Sequence, residues 1–357
     1  MKKVRVLVVE DSLSVRRRLV DILASDPEVE VVGEAEDGKT AIELCQAMRP
    51  DVVTLDMMLP VMTGLAATEY IMAYCPTPVL IISASTNRGE LFRTYDALAA
   101  GAVDVLEKPT GEEREDEWES RLVSTVKLIS RIKVITHPRG KLGSRGSGAS
   151  RRPVELGRSP ASFRIVALGA STGGPAAAVK LLKGLSPDFP VPIVFVIHMG
   201  RLFAQSLADW LDGQSPLRVS FARDGEPLPE RGQGRVILAP ADFHVEVHQG
   251  RLRLTMDPER HSCRPSVDVL FESIAREIAS ETIACLLTGM GRDGAEGLLA
   301  IRRAGGATLA QDEATSVVYG MPREAFLLGA VEQVLPLQQI APVLMRLAGC
   351  ARPGRPE

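Results

Sequence analysis

The sequence predicts an α/β protein of two domains, each built on a mostly parallel sheet. Three observations carry this expectation. Short β-branched runs alternate with stretches whose apolar residues recur at helical spacing, and they do so in both halves. Between the halves, residues 136–162 read THPRGKLGSRGSGASRRPVELGRSPAS, a stretch nearly free of large apolar side chains. The chain has 357 residues, 45% hydrophobic and 24% charged, which supplies more than one core at roughly 100–200 residues per domain.

In the first half the strands are expected at Val4–Val9 and at residues 29–34, 51–55, 79–82 and 103–106. Stretches such as 14–23 and 65–73 carry the helical spacing between them. Five strand–helix pairs in succession point to a five-stranded, doubly wound parallel sheet. The second half opens with strands at 164–168 and 192–197 and returns to one at 282–287. Between these, 235–239, 243–247 and 251–254 read as shorter antiparallel pieces. The expected boundaries are a first domain at 1–125, a helix end and flexible linker at 126–162, a second domain at 163–349 and a disordered tail at 350–357. The linker cannot bury enough surface to offset its ordering entropy, and its arginines read as solvated rather than as a nucleic-acid-binding arm.

The charge balance, 42 basic against 45 acidic side chains for a net −3, argues against a dedicated nucleic-acid binder. The longest apolar runs fall far short of the roughly 20 residues that cross a bilayer, so no membrane insertion is expected. Met1-Lys-Lys leads directly into a strand, unlike a signal peptide. Five scattered cysteines without a CxxC favour neither a disulfide framework nor a zinc site. A cytoplasmic protein fits these features.

In a doubly wound sheet, ligands gather at the carboxyl ends of the strands. In the first domain those ends carry Glu10 and Asp11, then Asp56, Ser83 and Lys108. Three carboxylates at one point repel unless a hard cation sits among them, and Mg²⁺ prefers carboxylate oxygens, water and a phosphate. A lysine and a hydroxyl aimed at the same point suit a transferred phosphoryl group, with Asp56 as the nucleophile. A single acid after a strand is more often a turn or helix cap, and Asp11 also suits that role before the helix near Ser14. The whole set, with Pro60, Gly64, Gly101-Ala102 and Lys108-Pro109, resembles a response-regulator receiver domain of flavodoxin-like fold. The resemblance implies phosphorylation at Asp56, Mg²⁺ on Glu10, Asp11 and Asp56, and phosphate sensing by Ser83 and Lys108. Two positions depart from that family: Thr63 stands where an acid is usual, and Val105 where the aromatic switch residue is usual.

In the second domain, Gly169-Ala170-Ser171-Thr172-Gly173-Gly174-Pro175 follows a strand and opens a helix. Small residues around a serine permit a sharp turn that exposes its hydroxyl, and the helix N-terminus offers N–H groups to an oxyanion. A glycine-rich turn at a helix start is equally a phosphate cradle. A serine nucleophile needs a base and an orienting acid. Of five histidines, His137 falls in the linker, while His244, His248 and His261 lie in or after the antiparallel pieces. His198 ends the most apolar strand, at the sheet edge expected for Ser171. Asp293, flanked by glycines after the 282–287 strand, suits the acid, whereas Asp268 sits in an amphipathic stretch and is expected to be solvated.

These strings, with Arg264-Pro-Ser-Val-Asp268, Gln311-Asp-Glu-Ala-Thr315 and Gly320-Met-Pro-Arg-Glu324, resemble the catalytic domain of the CheB chemotaxis methylesterase family over about residues 163–349. The resemblance implies Ser171 as nucleophile, His198 as general base, Asp293 as orienting acid and the Met290 N–H as an oxyanion donor. Departures are Ile197 where Gln is common, Gly200 where Pro is common and Ala241 where Gly is common.

The implied activity is hydrolysis of glutamyl methyl esters on chemoreceptors, with methanol release, and deamidation of receptor glutamines. No cofactor is implied for the esterase. A CheA-type histidine kinase is the implied phosphodonor, and the unphosphorylated receiver is implied to cover the active site. Rival readings are an inactive phospho-switched scaffold, a regulator with a DNA-binding output, and a hydrolase acting on another ester-bearing protein.

Overall fold

The computed structural model describes residues 2–84, 88–109, 115–132, 163–199 and 201–350. The chain divides into two compact units between Gly157 and Arg158. The 136–162 linker, His137, Gly200 and the Arg352–Pro356 tail lie outside the described residues.

The first unit runs β1 (Val4–Val9), α1 (Leu13–Ser25), β2 (Val29–Ala35), α2 (Gly38–Met48), β3 (Val52–Leu55), α3 (Gly64–Tyr74), β4 (Val79–Ser83), α4 (Arg88–Ala100), β5 (Asp104–Glu107) and α5 (Glu115–Ile129). Its five strands are parallel, in the order β2-β1-β3-β4-β5. All four residues of β3 and all five of β4 are buried, as expected for central strands covered on both faces. The edge strand β2 instead exposes Glu30 and Glu34. Helix starts are fixed by side-chain caps. Asp37 accepts the N–H groups of Lys39 and Thr40 at 2.8 and 3.0 Å, and Thr63 accepts that of Ala66 at 3.3 Å. Thr63, the departure from the usual acid, therefore serves as the cap of α3. Next to it, a Cβ on Gly64 would lie 2.3 Å from the Asp56 carbonyl oxygen, so only glycine lets α3 begin this close to the end of β3.

The second unit runs β6 (Ile165–Ala170), α6 (Gly174–Lys183), β7 (Ile193–Ile197), α7 (Arg201–Asp212), β8 (Val219–Phe221), β9 (Val236–Leu238), β10 (His244–His248), β11 (Arg251–Thr255), α8 (Val267–Glu277), β12 (Thr282–Leu286), α9 (Ala295–Arg303), β13 (Ala307–Gln311), α10 (Met321–Leu327), β14 (Gln333–Leu335) and α11 (Leu337–Leu347). Seven strands pair in parallel in the order β14-β13-β12-β6-β7-β9-β8. The 235–239 segment, expected to be antiparallel, instead forms β9 between β7 and β8 in this sheet. Its physical reason is visible in Val236, Ile237 and Leu238, which are all buried: a continuous apolar run belongs in the sheet interior. Residues 244–255 do form the expected antiparallel hairpin, closed by Gln249 and Gly250 at φ 50° and 70°. It packs through Val245, Val247 and Leu252 into the core shared with Phe271 and Ile274 of α8.

Gly64→Ala is expected to cost the first unit about 1–3 kcal/mol through overpacking. The readout is the urea transition of Trp118 fluorescence in a Trp210→Phe background, and an unshifted midpoint would contradict the steric argument.

Candidate active site and phosphoryl-acceptor site

The strand order reverses between β1 and β3 in the first unit and between β6 and β12 in the second. Crevices for ligands open at the carboxyl ends of such strands. Both clusters of expected site residues stand there.

In the first unit Glu10 and Asp11 follow β1 and Asp56 follows β3. One carboxylate oxygen from each lies within 4.8 Å of the other two. Glu10 and Asp56 are buried and Asp11 is exposed. Asp56 Oδ1 accepts the Met57 and Met58 N–H groups at 2.6 and 3.3 Å, which aims the carboxylate into the crevice. Lys108 Nζ donates to Asp56 Oδ2 at 2.8 Å and stands 2.7 Å from Glu10 Oε2. Burial, reinforced by the Asp56 charge, raises the Glu10 carboxyl against the pull of Lys108. Burial opposes the charge on Lys108, but Asp56 and Glu10 more than offset it and hold its pKa above the ordinary value. Ser83 ends β4, buried, and its carbonyl accepts the Lys108 N–H at 2.9 Å. The donor set fits a hard dication. Three carboxylates face one lysine, so the cluster keeps a net negative charge for a cation to balance.

In the second unit β6 and β7 pair with Ala170 opposite Ile197, so Ser171 and His198 are the next residues of adjacent parallel strands. The His198 N–H donates to the Ala170 carbonyl at 3.0 Å, and the Ser171 N–H to the Thr288 carbonyl at 3.0 Å. Ser171 is half-buried in the turn before α6. Asp293, in the loop after β12, meets His198 from the other side: His198 Nε2 and Asp293 Oδ2 are 2.9 Å apart. The same carboxylate accepts the Ser266 hydroxyl at 2.7 Å and the Val267 and Asp268 N–H groups at 2.7 and 3.1 Å. It thus occupies the N-terminus of α8, where backbone donors favour a negative charge.

Burial works against the charge on Asp293, yet His198, Ser266 and Val267 hold its pKa below the usual carboxylate range. Burial likewise works against the charge on His198, but Asp293 and then Cys263 push its pKa up to about 9. With Nε2 engaged by Asp293, the other ring nitrogen, Nδ1, lies 3.7 Å from Cys263 Sγ. The turn carrying Met290 crosses directly over Ser171. A Cβ on Gly289 would lie 2.8 Å from Ser171 Cβ, and the Met290 N–H donates to no described residue.

A family profile described as CheB methylesterase matches residues 166–344, and one described as response regulator receiver domain matches residues 6–116. A protein-glutamate methylesterase/protein-glutamine glutaminase of Nitrosospira multiformis is 43% identical over 96% of this chain and 97% of its own length. One of Pseudomonas aeruginosa is 43% identical over 97% of each. The chain belongs to the CheB methylesterase family. A crystal structure of the Thermotoga maritima CheB methylesterase catalytic domain is 39% identical, covering 52% of this chain and 98% of that one, with a TM-score of 0.49.

Several residues around this CheB-family site take structural roles that the sequence did not disclose. Asp268, expected to be solvated, is fully buried. It accepts the Gly297 N–H at 2.7 Å and lies 3.1 Å from His261 Nε2. The reason is that α8 turns its first turn inward against α9, which a helical hydropathy pattern with one acid cannot disclose. His244 is a buried structural histidine, with Nδ1 accepting the Ser266 N–H at 3.1 Å. The Gln311–Thr315 string is explained by a buried amide: Gln311 Oε1 accepts the Thr288 N–H at 2.8 Å, and Nε2 donates to the Thr315 carbonyl at 2.7 Å. Thr288 Oγ1 in turn lies 3.0 Å from the Thr172 carbonyl, tying the 288 loop to the serine turn.

Ser266→Ala removes a hydrogen bond to a buried carboxylate, worth about 1.5–3 kcal/mol. If Asp293 orients the base, kcat/KM for ester hydrolysis is expected to fall roughly 10–100-fold. An unchanged rate would show that Asp293 does not need this support.

Proposed function

We propose that this chain hydrolyses γ-glutamyl methyl esters on the cytoplasmic helices of a methyl-accepting chemoreceptor, deamidates receptor glutamines by the same route, and is switched by phosphorylation at Asp56. The observation that carries the chemistry is the 2.9 Å contact of His198 Nε2 with Asp293, beside the turn that presents Ser171. Full-length relatives named protein-glutamate methylesterase/protein-glutamine glutaminase support the substrate class.

In this reading His198 Nδ1 takes the Ser171 proton as Oγ bonds to the ester carbonyl carbon. The Met290 N–H receives the oxyanion, and Asp293 balances the imidazolium. His198 then returns the proton to the departing methoxide, giving methanol and an acyl-enzyme. Water, deprotonated by the same nitrogen, releases glutamate. With a glutamine substrate the leaving group is ammonia. The esterase needs no cofactor.

In the receiver, Asp56 is the phosphoryl acceptor from a CheA-type histidine kinase. Glu10, Asp11 and Asp56 would hold Mg²⁺, which supplies positive charge to the phosphoryl oxygens when bound. Lys108 and Ser83 sense the phosphoryl group, and Lys108 exchanges its bond to Asp56 for one to the new oxygens. Among the described residues no helix is long and apolar enough to cross a membrane. A cytoplasmic enzyme acting on a membrane receptor accords with that.

Methanol release from methylated receptor membranes is expected to rise with a small phosphodonor plus Mg²⁺. Ser171→Ala should abolish release, and Asp56→Asn should abolish only the stimulation. Release unaffected by Ser171→Ala would refute the assignment of the nucleophile. The pH dependence has a fixed sign. The imidazolium cannot accept a proton, so kcat/KM should climb as pH rises through the His198 pKa, which lies above its ordinary 6.5 and toward about 9. A pH–rate profile that falls over this interval would contradict His198 as the base.

A further inference from the structure

The esterase reading uses both ring nitrogens of His198, Nε2 on Asp293 and Nδ1 toward Ser171. A third group stands at the second nitrogen without a role in that chemistry. Cys263 Sγ lies 3.7 Å from His198 Nδ1. It is half-buried, and the thiol is held there firmly. Arg260 and Cys263 exchange backbone hydrogen bonds of 3.2 and 2.9 Å across a turn whose inner residues, His261 and Ser262, sit at φ 53° and 59°. Two non-glycine residues in the left-handed region are costly, and they persist only where the surroundings impose them. Here Arg260 pairs with Glu272 and Glu296 at 2.7 and 2.9 Å, and His261 with Asp268 at 3.1 Å.

We infer that His198 and Cys263 form an inhibitory site for a thiophilic divalent cation, Zn²⁺ by chemistry, whose binding removes the general base from the esterase. The consequence for activity rests on the reading of His198 as that base. Zn²⁺ bonds thiolate sulfur at about 2.3 Å and imidazole nitrogen at about 2.0–2.1 Å, so tetrahedral geometry separates the two ligand atoms by about 3.6 Å. The observed separation of 3.7 Å needs almost no rearrangement. Metal-binding imidazoles commonly donate the opposite N–H to a carboxylate, which fixes the tautomer and makes the free nitrogen a better donor. Asp293 already does this for His198 at 2.9 Å. An oxygen of Asp293 falls within 4.8 Å of the other two groups. Both its oxygens, however, already accept other donors, so it acts behind the imidazole rather than on the ion. Water and the Ser171 hydroxyl, next to His198 in strand register, would fill the remaining positions. On binding, the Cys263 thiol proton passes to solvent and the neutral imidazole gives its lone pair, with no change of oxidation state. The sulfur ligand selects against the hard Mg²⁺ suited to the receiver carboxylates.

The test uses the full-length chain, thiol-reduced and stripped of metal. Added Co²⁺ is expected to give a thiolate-to-cobalt charge-transfer band that is lost in Cys263→Ala and Cys263→Ser and kept in Asp56→Asn. Micromolar Zn²⁺ should suppress methanol release, and a chelator should restore it. Cys263→Ala, scaled to its own metal-free rate, should need roughly tenfold or more additional Zn²⁺ for equal suppression. Absence of the band, or its survival in both Cys263 variants, overturns the site whatever the esterase does. A Cys263-dependent band with undiminished methanol release overturns the inhibition.

Discussion

The second unit is organised around one buried carboxylate. Asp293 receives four donors: the His198 imidazole, the Ser266 hydroxyl and two backbone N–H groups of α8. A buried charge with this many partners is stable, and losing one leaves the desolvation cost of the others unmet. The carboxylate therefore does two jobs at once. It closes the N-terminus of α8, and it engages Nε2 of His198, which leaves Nδ1 on the side of Cys263. Its supports have supports in turn, since His244 accepts the Ser266 N–H and Asp268 bonds α9 through Gly297. Orientation of the imidazole is here a property of helix packing as much as of the His198–Asp293 contact.

Both units solve the placement of charge in the same way. A parallel sheet reverses its strand order, a crevice opens at the carboxyl ends, and acidic groups enter it with oriented N–H donors or a lysine to balance them. The balance differs in completeness. Asp293 is saturated with donors and its pKa is lowered. Glu10 shares the one Lys108 ammonium with Asp56, and burial raises its pKa. The saturated carboxylate suits permanent orientation of a base. Three carboxylates around a single lysine suit exchange of a cation and a phosphoryl group.

How far the sequence discloses this depends on the kind of residue. Ser171, His198 and Asp293 are legible because each follows an apolar strand, and strand ends share one edge when strands run parallel. Glu10, Asp56 and Lys108 are legible for the same reason. Val236–Leu238 misleads because a three-residue run beside a true hairpin offers no period to separate a parallel insert from an antiparallel one. Asp268 misleads because one acid in the first turn of an amphipathic helix ordinarily faces water, and only the packing of α8 on α9 reverses that. Gln311 and Thr288 act through hydrogen bonds between loops distant in sequence, and no local pattern encodes such a pairing. Cys263 belongs to the same class: its importance is its distance to a ring nitrogen 65 residues away.

That distance also bears on how the base is tuned. In the proposed esterase a general base works best when its pKa is close to the ambient pH, and against the effect of burial Asp293 together with Cys263 carries His198 up to about 9. Cys263 acts on the imidazole in the same direction as Asp293, from the opposite ring nitrogen. Its sulfur also lies 3.4 Å from the His261 carbonyl. The left-handed turn at His261 and Ser262 is then more than a scaffold, because it sets the distance at which the sulfur meets His198.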